Sequence, residues 1–354
     1  MKVSIRQISE MTGFSQATVS NALNNKKGVN PETARQILET AYSCGYQLPR
    51  KVNGIRFVLF RSGSQVVADT PFFSALIEGV ENEGREAGYE ISLLNLDSRQ
   101  PDYQQQLQSL LIDPSYAILL LATEMKEEEV SPFANCAAPL VLLDAWFERI
   151  QFDSVLISNT DSVCQAVQYL IDCGHQKIGY LESKNRIQNF QYRELGLRRA
   201  LVRNGLSIDP ALIFPLFPTM DGAYQDMSAL LTDTTVLPTA FFADNDIIAL
   251  GAMKALIEHG IKIPDDVSII GFDDLPFCSI STPRLTSIQV NKREMGRLAV
   301  RRLVERINSG NQNISAKIEI SNTLVKRDSV ASWGSDHPLL EKINQGNVNN
   351  VNAL

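Results

Sequence analysis

From residue 55 onward, short apolar runs rich in β-branched and aromatic residues alternate with longer segments of helical periodicity. Strands that alternate with helices form parallel sheets whose two faces are both covered. The alternation runs through two successive series, so the sequence predicts an α/β body with two doubly wound lobes. Ligands of such sheets bind beyond the carboxyl ends of the strands, so a cleft between the lobes is the expected pocket.

The predicted elements of the body follow from these runs. Strands are predicted at 55–60, 89–94, 117–121, 140–143, 154–157, 178–181, 211–215, 240–243, 267–272, 317–320 and 323–326. Helices are predicted at 72–87, 103–111, 162–173, 190–204, 223–231, 247–259 and 291–308.

The first fifty residues have a different pattern, which predicts three short helices at about 5–12, 15–24 and 31–45. Ser4 and Gln7 have the spacing of a capping box, and Ile8 with Met11 is expected to form the inward face of the first helix. Gly13 can adopt the positive φ that a tight turn between two helices requires. A short helix joined to the next by a tight turn is typical of a helix-turn-helix unit.

The second of these helices has a narrow apolar stripe made by Val19, Ala22 and Leu23. Its other faces carry short hydrogen-bonding side chains, which suit contact with base edges in a major groove wide enough for one helix. The alternative is a small helical cap that has no partner. The two-lobed body that follows the head favours the DNA-binding interpretation over this alternative.

The charge distribution also favours a DNA-binding head. The chain has 354 residues and a formal net charge of −7, which by itself argues against nucleic acid. Residues 1–56, however, hold eight basic and three acidic side chains, a balance of +5, so the remaining residues carry −12. A basic head can neutralise phosphate while an acidic body stays away from the duplex.

Several classes of protein are excluded by composition. The five cysteines are odd in number and form no CxxC pair, which argues against a disulfide framework or a metal site and favours a reducing cytoplasm. No leader sequence and no apolar run of membrane-spanning length is seen, so no membrane partner is expected and the predicted localisation is the cytoplasm.

The chain resembles the lactose-repressor and purine-repressor (LacI/GalR) family of bacterial transcription regulators from about residue 4 to residue 331. In the head the resemblance is carried by Ile5-Arg6-Gln7-Ile8, Thr12-Gly13-Phe14-Ser15, Thr18-Val19-Ser20 and Leu23-Asn24. In the body it is carried by Gly174-His175, Pro238-Thr239-Ala240, Asn245-Asp246, Ile263-Pro264-Asp265-Asp266, Gly271-Phe272-Asp273-Asp274 and Pro283-Arg284-Leu285-Thr286. The resemblance implies a periplasmic-binding-protein-like (type I) body and a repressor whose operator affinity is controlled by a small molecule.

Within the head, the resemblance implies a set of DNA-contacting residues. Base-edge contacts are expected from Gln16, Ala17 and Asn21, and phosphate or groove contacts from Ser4, Ser15, Thr18, Ser20 and Asn24. In the family, the stretch after the head usually forms a hinge helix that inserts a leucine into the minor groove. Here that stretch is short and contains Pro49 and Gly54, so a leucine inserted in this way is not expected. Arg50 and Lys51 are expected to hold phosphate or the groove instead.

The resemblance also implies an effector site at the strand ends of the body. Arg193 suits a carboxylate or vicinal hydroxyls, and aromatic rings can stack on a sugar or base face. The expected effector is a carbohydrate or a derivative of one. The candidate ligand-binding residues are Asp69, Phe72, Phe73, Trp146, Asn159, Asn189, Phe190, Arg193, Asn245 and Asp273.

These observations predict a division of the chain into a helix-turn-helix domain at 1–48, a basic linker at 49–56, a ligand-binding and dimerisation domain at 57–330 and a disordered tail at 331–354. Lobe 1 is predicted at about 57–158 and 289–320, and lobe 2 at about 159–288 and 321–330. Two heads are needed for a pseudo-palindromic operator, so a homodimer is expected.

A second hypothesis from another class is a sugar-binding transport protein or an enzyme with an accessory head. No GxGxxG or Walker loop and no nucleophile with a base is seen, so no catalytic residue, no cofactor and no metal ligand is predicted. The missing leader argues against transport.

Overall fold

A computed structural model of the chain describes residues 4–23, 29–44, 52–67, 71–232, 234–309 and 314–334. Its first part is a head of three helices whose buried side chains pack together in one cluster around Ile8, Val19 and Ile37. The helices are α1 (Ile5–Thr12), α2 (Gln16–Leu23) and α3 (Pro31–Ser43).

Local signals in the sequence position the head helices as predicted. Ser4 and Gln7 form both hydrogen bonds of a capping box at the start of α1, and Gly13 has φ +74° in the turn to α2. The sequence predicts that Ile8 and Met11 both face inward. This is wrong for Met11, which is 61% exposed, whereas Ile8 is fully buried. The predicted end of the third helix, Gly45, lies outside the described residues.

The body contains two six-stranded sheets with the same strand pattern. The first sheet has the order β11-β5-β4-β3-β1-β2, and all its neighbouring strands are parallel. Its strands are β1 (Gly54–Arg61), β2 (Glu90–Asp97), β3 (Tyr116–Leu121), β4 (Leu140–Leu143), β5 (Asp153–Ile157) and β11 (Lys317–Ile320). The unit built on this sheet is called lobe 1.

The second sheet has the order β12-β10-β9-β8-β6-β7 and is parallel except for the antiparallel pair of β10 and β12. Its strands are β6 (Ile178–Ser183), β7 (Ile213–Leu216), β8 (Ala240–Ala243), β9 (Ser268–Asp273), β10 (Thr286–Gln289) and β12 (Thr323–Val325). The unit built on this sheet is called lobe 2. The predicted fold class, an α/β body of two doubly wound lobes behind a helical head, is confirmed.

Helices cover the faces of both sheets, and their apolar sides form the core with the strands. They are α4 (Pro71–Glu86), α5 (Tyr103–Ile112), α6 (Glu127–Val130), α7 (Asn159–Asp172), α8 (Gln188–Arg203), α9 (Met220–Leu230), α10 (Asp246–Glu258) and α11 (Lys292–Ser309). The helix α6 and the strand β10 were not predicted; a single helical turn such as α6 is too short to show a helical period.

The chain passes between the lobes three times, after β5, after β10 and after β11. Helix α11 follows a strand of lobe 2 but packs against α4 of lobe 1, where an added Cβ on Gly79 would lie only 2.1 Å from the carbonyl oxygen of Arg293. The start of α11 is therefore held firmly on lobe 1 although it lies beside lobe 2.

Two predicted boundaries need correction. Strand β1 begins at Gly54, so the last three residues of the predicted linker 49–56 belong to the sheet, and Arg56 pairs with Asp113 at 2.9 Å. The predicted disordered tail begins at 331, yet the amide of Trp333 donates to the carbonyl of Cys173 at 2.6 Å. Both segments belong to the body because their backbones form hydrogen bonds with neighbouring parts of it. Residues 49–51 of the linker and residues 335–354 lie outside the described residues.

Candidate DNA-binding and effector sites

The exposed side of α2 is polar and belongs to the predicted DNA-contacting set. Gln16 and Ala17 are exposed, whereas Thr18, Ser20 and Asn21 are partly exposed. The opposite side of the helix is buried through Val19, Ala22 and Leu23, as the sequence predicted. The helix therefore presents amide, hydroxyl and methyl groups to solvent from a fixed base.

Serine residues begin two of the head helices. The Ser15 hydroxyl accepts from the amide of Thr18 at 3.1 Å and lies 2.8 Å from the Thr18 hydroxyl, and Ser4 caps α1 through the amide of Gln7 at 3.3 Å. Helix N-termini carry partial positive charge and free amides, which suits contact with phosphate. The predicted contacts Asn24, Arg50 and Lys51 lie outside the described residues.

The candidate effector cleft lies between the carboxyl ends of strands from both lobes and leaves a cavity of about 50 Å³. The predicted residues that line the cleft are Phe72, Phe73, Asn189, Phe190, Arg193, Asn245 and Asp273.

Arg193 is the most firmly held cation of the cleft. Its side chain, on α8, is almost fully buried, and its Nε donates to Oδ1 of Asn159 at 2.9 Å. Nη1 donates to the carbonyl of Asp244 at 2.5 Å, and the guanidinium lies 3.7 Å from the ring centre of Phe272. Nη2 faces Oδ1 of Asp273 at 3.6 Å, so this end of the guanidinium is directed at the cleft.

Two buried carboxylates, one from each lobe, face this cleft. Asp144 follows β4 of lobe 1, and its Oδ2 accepts from the Thr123 hydroxyl at 2.7 Å. Asp273 ends β9 of lobe 2. Among the described residues, Oδ1 of Asp144 and Oδ1 of Asp273 are buried and have no hydrogen-bond partner, although Oδ1 of Asp273 lies 3.6 Å from Nη2 of Arg193. An effector that donates hydrogen bonds would satisfy both oxygens.

Burial changes the protonation of these acids. Desolvation raises the pKa of Asp144 to about 6, although the hydrogen bond from Thr123 and the charge of Arg193 oppose it. Desolvation also raises the pKa of Asp273, and Arg193 and Lys292 oppose that shift. Because each acid is buried near another negative group, the cleft favours donors and cations over anions.

Backbone strain is concentrated in the same place. Among the described residues other than glycine, those with positive φ are Gln65, Asp144, Asp273 and Asp274, at +60°, +64°, +110° and +50°. The first three line the cleft. Such conformations each cost on the order of 1–3 kcal/mol and persist where surrounding contacts fix them, often at functional sites.

A second layer of acids lies behind the cleft wall in lobe 2. Asp246 accepts from the amide of Leu275 at 2.8 Å and from the Ser287 hydroxyl at 2.6 Å, and burial raises its pKa to about 7. Asp244 accepts from Arg186 at 2.6 Å, and burial raises its pKa to about 6. These acids fix the strand ends and do not line the cleft.

Two predicted ligand residues occupy other places. Asn159 does not line the cleft but holds Nε of Arg193 and donates to Oδ1 of Asn189 at 3.1 Å. Trp146 stacks on Tyr192 with ring centres 6.2 Å apart and has Lys317 Nζ 3.8 Å from its ring centre. The prediction for Trp146 assumed that a position beside a strand end faces the cleft, whereas the prediction for Asn159 came from the resemblance. Asp69 lies outside the described residues.

Sequence reasoning missed several lining residues. Asp144, Thr123 and Gln65 each follow a strand of lobe 1, so the rule that selected other strand-end polar residues would have found them. The apolar lining residues that were missed carry no such signal, because tertiary packing alone directs them into the cleft. They are Val66, Ile187, Pro218, Ile247 and Leu275.

Direct contacts join the two walls of the cleft. The Asn185 side-chain amide in lobe 2 donates to the carbonyl of Ser64 in lobe 1 at 2.6 Å. The Asn189 amide likewise donates to the carbonyl of Asp144 at 3.3 Å. The lobes are therefore in direct contact, and one of these contacts is at Asp144 itself.

The chain was compared with known proteins. Residues 167–330 match the family of periplasmic-binding-protein-like domains. The HTH-type transcriptional repressor PurR of Pasteurella multocida (strain Pm70) is 30% identical over 331 residues, covering 93% of this chain and 98% of the relative.

Solved structures give the same result for the fold. The transcriptional regulator CelR in its cellobiose complex aligns with a TM-score of 0.70 at 25% identity, covering 93% of this chain and 100% of that chain. The lac repressor dimer bound to operator and the anti-inducer ONPF aligns with a TM-score of 0.68 at 22% identity, covering 94% of this chain and 100% of that chain.

A helical head with a polar exposed helix, followed by a two-lobed body with a polar cleft, defines a ligand-controlled, DNA-binding transcription repressor. The chain belongs to the lactose-repressor and purine-repressor (LacI/GalR) family of transcription regulators. No helix in the described part of the chain is both long and apolar enough to cross a membrane. Within the same residues no group of three or more His, Cys, Asp or Glu side chains could hold a metal ion.

Proposed function

We propose that the repressor is controlled by an uncharged polyhydroxyl molecule, a carbohydrate, which binds between the lobes. The observation that carries this proposal is the pair of buried oxygens on Asp144 and Asp273, one in each lobe, that accept no hydrogen bond from any described residue. Hydroxyl groups donate to such oxygens, and the rings of Phe72 and Phe73 offer apolar faces to a sugar. The related regulator CelR has been solved in complex with cellobiose.

The charge of the cleft argues against a phosphorylated sugar. Asp144 and Asp273 contribute two acids, and Arg193 is already engaged by Asn159 and by the carbonyl of Asp244. A phosphate would place further negative charge beside two buried carboxylates. An uncharged ligand leaves the Arg193–Asp273 ion pair in place and adds hydrogen bonds to it.

A thermal-shift series on the full chain tests the effector class. Cellobiose and ribose represent neutral sugars, glucose 6-phosphate represents anionic ones, and guanine represents bases. A ligand that binds only the folded state raises Tm by mass action. We expect a neutral sugar to raise Tm and glucose 6-phosphate to leave it unchanged. A shift with guanine or with the phosphate alone would contradict the proposal.

Two variants make the same series specific for the cleft. Asp273→Asn should abolish the shift, since the amide presents a donor where the ligand also donates. Asp161→Asn is the matched control, because Asp161 is 74% exposed on the outer side of α7. A shift that survives in Asp273→Asn would contradict the assignment of this carboxylate.

We further propose that α2 reads the operator through Gln16, Ala17 and Asn21, with Ser4, Ser15, Thr18 and Ser20 on phosphate or groove edges. The exposure of Gln16 and Ala17 and the helix N-termini at Ser4 and Ser15 support this assignment. Asn24, Arg50 and Lys51 are assigned to phosphate contact from the sequence.

The repressor is proposed to act as a homodimer through lobe 2. Ile257 and Ile280 are 43% and 77% exposed, and Ile257 lines a shallow groove on α10 together with Ser281 and Thr282. An exposed apolar surface of this kind fits a second copy of the chain. The lac repressor with the same fold is a dimer on its operator. Sedimentation should show a dimer for the wild type and a monomer for Ile280→Glu, and circular dichroism should show the same secondary structure for both.

The proposal places the chain in the cytoplasm, and on the nucleoid when it is bound to DNA, because a repressor works where its operator lies. It assigns no catalysis to the cleft. The relative PurR is a transcriptional repressor. Turnover of any sugar that shifts Tm would contradict this part of the proposal.

A further inference from the structure

Lys292 lies where the chain passes from lobe 2 to lobe 1, at the first residue of α11. Its Nζ donates to the backbone carbonyl of Asp273, and the carbonyls of Asp274 and Val290 lie 3.4 Å away. The ammonium group is thus surrounded by carbonyl oxygens from the end of β9 and from the crossing segment. Lys292 was not among the residues selected from the sequence.

The stability of α11 does not account for a lysine at this position. A positive side chain at a helix N-terminus meets the positive end of the helix dipole, which is unfavourable. The backbone of the first turn is held on lobe 1, because the carbonyl of Arg293 lies against Gly79 and Gly296 packs against the carbonyl of Leu76. Lys292 therefore reaches from a fixed position on lobe 1 to a strand end of lobe 2.

The carbonyls that Lys292 approaches belong to a strained turn. Asp273 and Asp274 are consecutive and both have positive φ. The Asp274 side chain is held separately, by Arg327 at 2.7 Å and by Gln289 at 2.9 Å. The ammonium of Lys292 thus stabilises the backbone from which the Asp273 carboxylate extends into the cleft.

The same ammonium faces a lining residue of the other lobe. Nζ of Lys292 is 5.7 Å from the ring centre of Phe72, within the range of a cation–π interaction. Phe72 lines the cleft from α4 in lobe 1, and Asp273 lines it from lobe 2. One side chain outside the cleft lining is thus in contact with a wall residue from each side.

We propose that Lys292 is a positioning residue of the effector cleft, which sets the location and charge of the Asp273 carboxylate from a base on lobe 1. The proposal rests on the proposed effector site for its function, but its structural core can be tested without any effector. It predicts that Lys292 and Asp273 are coupled electrostatically.

The coupling has a defined sign. Burial raises the pKa of Asp273, whereas Arg193 on α8 and Lys292 on α11 lower it. The negative groups that face Asp273 are Asp144 after β4 and Asp246 on α10. Removing the charge of Lys292 should raise the pKa of Asp273 further. Such an acid destabilises the fold as pH rises from its unfolded pKa, about 3.9, through its folded pKa.

The test is thermal unfolding of the full chain at pH 4.5 and pH 7.5 without effector. Lys292→Met should lower Tm more at pH 7.5 than at pH 4.5, by about 3 °C. Lys292→Arg keeps the charge and should restore the wild-type pH dependence. Lys326→Met is the matched control, since Lys326 is exposed and lies 4.1 Å from the Tyr169 ring centre, away from the cleft.

A double variant separates coupling from simple loss of packing. In an Asp273→Asn background, Lys292→Met should lower Tm equally at both pH values, because the titrating carboxylate that the proposal couples to Lys292 has been removed. An equal loss at both pH values in the wild-type background, or an extra loss that persists with Asp273→Asn, would overturn the proposal.

Effector binding gives the second readout, with cellobiose and ribose as probes. If one of them binds the wild type, Lys292→Met should weaken that binding about tenfold and Lys292→Arg should recover most of it. Unchanged affinity in Lys292→Met would overturn the positioning role. If neither sugar binds the wild type, the proposed effector class fails, and the pH experiment still decides whether Lys292 controls Asp273.

Discussion

Helix α2 of the head and the cleft of the body use polar side chains in opposite ways. On α2, Gln16 is exposed on a helix whose other side is apolar and buried. In the cleft, Arg193 is 3% exposed and is held by Asn159 and the carbonyl of Asp244. A helix that reads DNA needs a fixed base and free side chains, whereas a cleft that recognises a small molecule needs side chains that are already ordered.

This difference sets the size of each expected effect. Truncating a buried, hydrogen-bonded charge leaves its partners unsatisfied and affects both stability and binding. Truncating an exposed amide removes a contact that exists only in the complex with DNA. Substitutions in the cleft should therefore have a measurable effect in the free protein. Substitutions on α2 should have one only in the presence of operator.

The largest effect is expected for Arg193→Ala. The change leaves Oδ1 of Asn159 and the carbonyl of Asp244 without their donor in a buried site, which should destabilise lobe 2 by about 3 kcal/mol and abolish the response to effector. Chemical denaturation and a thermal shift with cellobiose measure the two effects. Arg198→Ala on the outer side of α8 is the control and should change neither. Wild-type stability in Arg193→Ala would contradict the described network.

Gln16→Ala tests the contribution of α2 to operator affinity. We expect about a tenfold loss of affinity for the operator and almost none for scrambled duplex, since base-edge contacts contribute on the order of 1–3 kcal/mol to discrimination. Tm should not change, because Gln16 is exposed. Fluorescence anisotropy with both duplexes measures the two affinities. Equal losses on both would place Gln16 on phosphate rather than on a base.

The pH dependence of the cleft is a third prediction. The pKa of Asp144 is raised to about 6 by burial, so this acid lowers stability as pH rises from about 3.9 to above 6. Asp144→Asn should remove that part of the pH profile and leave the profile of the other acids, including Asp246 with its pKa of about 7. Denaturation of wild type and variant between pH 5 and pH 7.5 tests it. Parallel profiles would show that Asp144 is not buried as described.

The smallest effect is expected for Met11→Gln. Met11 is 61% exposed, so the change should leave Tm within about 1 °C of the wild type, as for other surface substitutions. Ile8→Ala is the matched change on the buried face of the same helix and should unfold the head, which circular dichroism of the full chain would detect. A large loss in Met11→Gln would support the original prediction of an inward side chain.

Local signals account for the parts of the fold that could be predicted from the sequence. The capping box at Ser4, the turn at Gly13 and the stripe of Val19, Ala22 and Leu23 involve neighbours within one or two helical turns. Inner strands of the body such as β3, β4 and β9 are buried on both faces and appear as apolar runs. Periodicity and capping are enough for such features.

The candidate site could be predicted only in part, because long-range packing decides which strand-end residues enter the cleft. Asn159 directs its amide to Asn189 and its oxygen to Arg193, and Trp146 turns to Tyr192, 46 positions further along the chain. Lys292 reaches Asp273 from a helix of the other lobe. None of these directions follows from spacing in the sequence, so each of them needed the tertiary structure.

The central claim is that a molecule in the cleft controls how tightly the head holds DNA. The most direct measurement is the affinity of the full chain for duplexes from its own upstream DNA and for a scrambled duplex, with and without the sugar that raises Tm. The account predicts one upstream duplex that binds more tightly than the scrambled one, with an affinity that the sugar changes several-fold in the wild type but not in Asp273→Asn. Equal affinity for every duplex, or a sugar that raises Tm without changing operator affinity, would contradict it.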